Sequence, residues 1–157
     1  MNTTSPRSII ISDTSCLILL TKIGYLKLLP ELFGQCLITP TVAAEFGQPL
    51  PTWLAVRAPL GAVPAELLTR QHDAGERSAI ALALELPGSV LILDDAPARQ
   101  LAQYLQLPFT GTLGVLALAK ARGLLPQLRP IVEQLRTIGG MWLSDAVAER
   151  VCREAGE

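Results

Sequence analysis

Aromatic side chains are scarce in this chain of 157 residues, at 4%, and histidine occurs once, at His72. Charged residues make up only 17%, and neither sign dominates, with 13 basic and 14 acidic residues giving a net charge of −1. The three cysteines, Cys16, Cys36 and Cys152, are an odd number without metal-ligand spacing. Each shortage excludes something. A fully paired disulfide framework is out, and free thiols in a reducing cytosol are the reading that remains, so the expected compartment is the cytoplasm. A protein that grips nucleic acid through phosphates alone is usually basic, and this one is not. Carboxylates that cluster around cations would invert the local sign, however, and the formal charge then misleads. No secretory signal is legible, because the apolar stretch from Ile9 to Leu20 contains Asp13 and no small-residue cleavage site follows. Lys22 and Lys27 interrupt what comes next, so no membrane span is expected.

What the chain has instead is aliphatic residues. A hydrophobic fraction of 50% is enough for a real core in one domain over 1–157. The surplus of apolar side chains suits a homodimer interface.

Residues 1–7 read as a loose N-terminus. Ile9-Ile10-Ile11 and Val90-Leu91-Ile92-Leu93 read as buried strands, and Cys36-Leu37-Ile38-Thr39 as another. Leu54-Ala55-Val56 is a weaker strand, and Leu107-Pro108-Phe109-Thr110 a short edge strand. Helical patterns run from Thr14-Ser15 to Gly24, over 25–33, after Pro40, near 66–68 and over 74–86. Others follow Asp94-Asp95, Gly111-Thr112 and, within the C-terminal helices of 125–157, cover 127–137 and 144–154. Strands alternating with helices predict a three-layer α/β/α sandwich with a mostly parallel central sheet.

Four carboxylate positions then stand out: Asp13, Glu45, Glu76 and the pair Asp94-Asp95. Asp13 closes the first strand and Asp94-Asp95 the fourth, and in an open α/β sheet reactive groups collect at the carboxyl ends of strands. Such carboxylates can share a hard cation such as Mg²⁺ or Mn²⁺, which prefers oxygen and leaves positions open for a phosphate oxygen and a water. No histidine or cysteine is needed. Each acidic residue also has a plainer use. Asp13 and one of Asp94 and Asp95 can cap helices, Glu45 can be a solvated face residue, and Glu76 can favour a helix dipole.

With those residues in order, the chain resembles the PIN-domain family, in its VapC-like branch. The resembling stretches are Ile11-Ser12-Asp13-Thr14-Ser15 and Ile38-Thr39-Pro40-Thr41-Val42-Ala43-Ala44-Glu45. Three more follow: residues 74–83 around Ala74-Gly75-Glu76-Arg77-Ser78, residues 91–99 around Leu93-Asp94-Asp95-Ala96-Pro97, and Thr110-Gly111-Thr112-Leu113-Gly114-Val115-Leu116, with the pair Ala119-Lys120 after it. The resemblance implies a metal-dependent endoribonuclease, the toxin of a toxin–antitoxin pair, leaving 5′-phosphate and 3′-hydroxyl ends. It implies Asp13, Glu45, Glu76 and Asp95 as catalytic residues, with Asp13, Glu76, Asp94 and Asp95 around Mg²⁺ or Mn²⁺. Asp95 matches the last position better, and Asp94 either helps or caps the helix. Thr14 or Ser15 would hold Asp13 or a water. Arg99 would pair with a carboxylate or meet a phosphate, and the Gly111-Thr112 turn would either receive a phosphate or simply join strand to helix. Arg57, Arg70, Arg77, Lys120 and Arg122 are the scattered cations left to meet RNA, and a cognate antitoxin is the expected protein partner. Two rival readings are a PIN-like module that binds RNA or protein without cutting, and a phosphohydrolase using Asp13 as nucleophile. The second would want another acidic residue where Ser15 stands.

Overall fold

Side-chain alternation along short apolar strands builds this molecule outward from one sheet. The computed structural model describes residues 8–157, so the loose terminus expected over 1–7 lies outside the described residues. The strands are β1 (Ile9–Ser12), β2 (Gln35–Ile38), β3 (Leu54–Val56), β4 (Val90–Ile92) and β5 (Phe109–Thr110). They pair in the order β3-β2-β1-β4-β5, and every pair is parallel. Parallel neighbours need crossovers, which helices supply. These are α1 (Thr14–Ile23), α2 (Leu28–Leu32), α3 (Pro40–Phe46), α4 (Ala74–Glu85) and α5 (Ala96–Tyr104). Three more, α6 (Thr112–Ala121), α7 (Arg129–Thr137) and α8 (Asp145–Glu154), complete the C-terminal part.

Adjacent strand residues serve opposite cores. Ile10, Cys36, Ile38 and Ile92 pack with α1, α2, α3, α6, α7 and α8, whereas Ile11, Leu37, Leu91 and Leu93 pack with α4 and α5. The result is three layers, α/β/α, with the sheet buried on both sides. Fully buried Ile10, Ile11, Leu91, Ile92 and Leu93 flank the strand ends, and each such side chain stabilises the fold by roughly 1.5–3 kcal/mol. Aliphatic burial, not polar pairing, therefore fixes where the carboxylates emerge. From β1 the chain crosses to β2 on one side and later returns to β4 on the other, which opens a crevice at their carboxyl ends. The Asp13 N–H donates to the Ile92 carbonyl at 3.2 Å and holds the two ends together.

Several sequence boundaries move for physical reasons. The strand expected through Thr39 stops at Ile38, because the Thr39 hydroxyl caps α3 by accepting from the Val42 N–H at 3.1 Å. The helix expected over 25–33 shrinks to Leu28–Leu32. Pro30 has no N–H to give to an earlier turn, so the helix can only start just before it. The piece near 66–68 is a single 3₁₀ turn, Ala65–Leu67. The edge strand is indeed at the edge but covers only Phe109–Thr110.

Candidate metal centre

The centre is assembled from helix starts. Asp13, 4% exposed, leaves β1 in extended conformation and caps α1, its Oδ1 accepting from the Thr14 N–H at 2.7 Å. The Thr14 hydroxyl donates to Glu45 Oε1 at 2.6 Å, so the first turn of α1 reaches across to α3. Hydroxyls of Thr39 and Ser78, 2.6 Å apart, tie the start of α3 to α4. That helix begins in a reciprocal cap: the Glu76 N–H donates to Asp73 Oδ1 at 2.8 Å, and the Asp73 N–H to Glu76 Oε1 at 3.0 Å. Between them stands Gly75, where a Cβ would collide with the Glu45 carboxylate. Ligand-capable oxygens of Asp13, Glu45 and Asp73 consequently all lie within 4.8 Å of one another, with Asp13 buried and the other two exposed.

Asp73 was not among the sequence candidates. Its signal was present in Asp73-Ala74-Gly75-Glu76, an acidic cap with a glutamate three residues on, the spacing of a capping box.

The pair Asp94-Asp95 divides its work. Asp95 caps α5 by accepting from the Ala98 N–H at 3.2 Å. Asp94 instead reaches α6, whose own cap residue Gly111 has no side chain. Its Oδ1 accepts from the Thr112 N–H at 2.8 Å and its Oδ2 from the Thr112 hydroxyl at 2.6 Å. Both oxygens of Asp94 are thus engaged. Asp13, Glu45, Asp73, Glu76 and Asp95 each keep one oxygen that accepts no hydrogen bond among the described residues.

Proximity and burial show in the acid–base behaviour. Desolvation, reinforced by the charges of Asp73, Glu45 and Asp94, pushes Asp13 up to about 7 against the pull of the Thr14 N–H. Glu76 is also pushed up to about 7, chiefly by desolvation and then by Asp73, Asp13 and Asp95. None of these six carboxylates forms a salt bridge among the described residues, whose ion pairs are all formed by Lys120, Arg129 and Arg136. An all-oxygen donor set with free lone pairs and no salt-bridged cation among the described residues fits a hard divalent ion.

Other expectations resolve differently. Arg99 makes no ion pair with a carboxylate among the described residues. Its guanidinium lies 5.3 Å from the centroid of the Phe109 ring, and its Nε is buried without a partner. A Cβ on Gly111 would stand 2.9 Å from Asp94 Oδ1 and 3.1 Å from an Arg99 terminal nitrogen, so both groups border that turn. Ser15 is exposed and makes no side-chain hydrogen bond among the described residues. Of the scattered cations, Arg77 holds the His72 and Thr69 carbonyls, Lys120 pairs with Glu157, and Arg122 donates to the Leu32 carbonyl. His72 is buried, accepting at Nδ1 from the Thr69 N–H at 3.0 Å, so Nε2 carries the hydrogen facing the Pro97 carbonyl at 3.1 Å. Both ring nitrogens are committed to the fold. The three cysteines are free and buried, and burial pushes Cys16 up to about 12 and Cys36 to about 11. No helix among the described residues is long and apolar enough to cross a membrane.

Against known proteins, residues 9–157 match the family model for the PIN domain. No curated protein matches the chain.

Proposed function

The chain belongs to the PIN-domain family, and from that premise we propose that it is a metal-dependent endoribonuclease hydrolysing RNA phosphodiesters. PIN domains are in general metal-dependent nucleases, and the observation that carries the reading is the meeting of Asp13, Glu45 and Asp73 oxygens within 4.8 Å, with no salt bridge to any of them among the described residues. Repulsion among such groups destabilises the fold unless something positive binds, so the arrangement makes sense as a cation site.

In this reading Asp13, Glu45 and Asp73, whose oxygens meet, would hold Mg²⁺ or Mn²⁺, and Glu76 and Asp95, outside that 4.8 Å group, would offer their free oxygens as well. Held there, such an ion would supply positive charge to a phosphodiester being displaced. The chain's own residues set the stage for it. Thr14 orients Glu45, the Asp73–Glu76 cap fixes the first turn of α4, and Asp94 adds charge next to Asp13 while holding Thr112. Arg99, spread over Phe109 beside the Gly111 turn, offers a cation to a substrate phosphate. The VapC-like pattern of motifs supports a toxin whose cognate antitoxin covers the carboxylates; the aliphatic surplus suits a homodimer, and the free cysteines suit the cytoplasm.

The test is cleavage of mixed structured RNAs by purified protein with Mg²⁺, with Mn²⁺ and with EDTA, beside Asp13→Asn. Cutting that needs both metal and Asp13 is the expected result. Folded, antitoxin-free protein that cuts nothing would sink the nuclease reading in favour of a binding module.

A further inference from the structure

A cavity of about 310 Å³ lies between the 65–72 segment and α5, outside the carboxylate group. Leu67, Pro97 and buried Leu101 give it apolar surface. Tyr104, 72% exposed, presents its ring, and Gln100 and Glu66 add polar groups. Its two sides are tied together. His72 bridges its two sides, taking a hydrogen bond from Thr69 at 3.0 Å and reaching the Pro97 carbonyl at 3.1 Å. Arg77 clamps the same segment from outside through the His72 and Thr69 carbonyls, at 2.7 and 3.0 Å.

Its position links it to the metal centre. His72 precedes Asp73 in the chain, and Pro97 follows Asp95 by one intervening residue. From Asp95 to Tyr104 runs the length of α5, on the order of 13 Å at the helical rise. A strand laid across the carboxylates would therefore bring a neighbouring nucleotide, not the one being cut, to the cavity.

We propose that this cavity is a nucleobase subsite of the RNA-binding surface, in which a base stacks on Tyr104 and meets Gln100 and Glu66 with its edge. Apolar side chains, one exposed aromatic ring and a few polar groups are what an unstacked base requires. Glu66 also decides what the cavity rejects. An acidic side chain repels a phosphate, so the base and not the backbone enters. Ionised, it only accepts hydrogen bonds, so it favours adenine, cytosine or guanine, which carry an exocyclic amine, over uracil, whose single edge donor N3–H stands between two carbonyl oxygens that repel a carboxylate. The proposal rests on the nuclease reading for its substrate, and the experiment separates the two.

The experiment measures cleavage of short single-stranded oligo(A), oligo(C) and oligo(U) with Mn²⁺, and equilibrium binding of the same oligonucleotides in EDTA. Removing the ring in Tyr104→Ala should raise KM for oligo(A) by about 10-fold at unchanged kcat, since stacking binds the base without touching the reacting bond. Tyr104→Phe, which keeps the ring, should restore the parental KM. Glu66→Gln should narrow the preference of oligo(A) over oligo(U). If the parent cuts RNA and Tyr104→Ala matches it in KM and affinity, the subsite is overturned and the nuclease reading stands. If the parent cuts nothing, the binding arm decides. Affinity lost in Tyr104→Ala and kept in Tyr104→Phe upholds the subsite without the nuclease, and a parent that binds no oligonucleotide overturns both.

Discussion

Gly75 leaves the space that the Glu45 carboxylate fills: a Cβ at this position would run into Glu45 Oε1. Gly75→Ala therefore tests Glu45 without touching it. Glu45 is exposed and its carboxylate is the far end of a flexible side chain, so it can swing aside. Alanine also suits a helix better than glycine by about 1 kcal/mol. The variant should melt no lower than the parent. It should nevertheless need more Mn²⁺ for half-maximal thermal stabilisation and lose roughly 10- to 100-fold in cleavage, because small displacements of reacting groups are costly. A parental Mn²⁺ midpoint would mean that Glu45 is no part of the cation site.

Asp13→Asn separates charge from shape. Asparagine caps a helix as well as aspartate, so α1 keeps its start. The change removes a buried charge surrounded by Asp73, Glu45 and Asp94. Metal-free protein should consequently melt higher than the parent near neutral pH. Adding Mn²⁺ should stabilise the parent by about 2.7 kcal/mol at a hundredfold excess over its dissociation constant, and the variant hardly at all. Cleavage should vanish. Differential scanning fluorimetry with and without metal checks the first two outcomes, and an RNA gel checks the third.

The strand and helix order was legible because apolar runs and their breaks are local. Asp13 and Asp95 were legible as helix caps for the same reason, as each stands between a strand and a helix. Thr39 and Asp73 were harder, since a side chain that caps a helix declares itself only by what it accepts. The division between Asp94 and Asp95 was not legible at all. It depends on Thr112, distant in sequence, which claims both oxygens of Asp94. Arg99 was likewise undecidable from its neighbours, because its partner is the ring of Phe109 on another element.

Thr112 satisfies Asp94 twice, by N–H and by hydroxyl. Thr112→Val keeps the shape and the backbone donor but removes the hydroxyl, leaving a half-buried carboxylate oxygen unpartnered. Such a loss costs about 1–3 kcal/mol, measurable as a lower urea midpoint. Thr112→Ser restores the donor and should recover most of it. Freed Asp94 Oδ2 also becomes available to a cation, so the Mn²⁺ midpoint of Thr112→Val should shift while that of Thr112→Ser does not. Equal urea midpoints for Val and Ser would show that the hydroxyl bond contributes nothing.

The stability of the metal-free protein should respond to pH in two opposite ways. Asp13 and Glu76 hold protons more tightly folded than unfolded, since both are pushed up to about 7 from ordinary values of 3.8 and 4.5. The folded state then carries the extra protons between about pH 4 and 7, and stability falls as pH rises through that window. Glu157 behaves the other way. Lys120 and then the Leu128 and Arg129 N–H groups hold it down to about 2. Its contribution is complete above its ordinary value of 4.5 and is lost as pH drops toward 2. From these three groups, melting temperature should peak at about pH 4. Saturating Mn²⁺ should flatten the neutral side, and Glu157→Gln the acid side. If metal-free melting temperature instead climbs from pH 5 to 7, Asp13 and Glu76 are charged without cost in the folded protein, and the electrostatic case for a cation among them collapses.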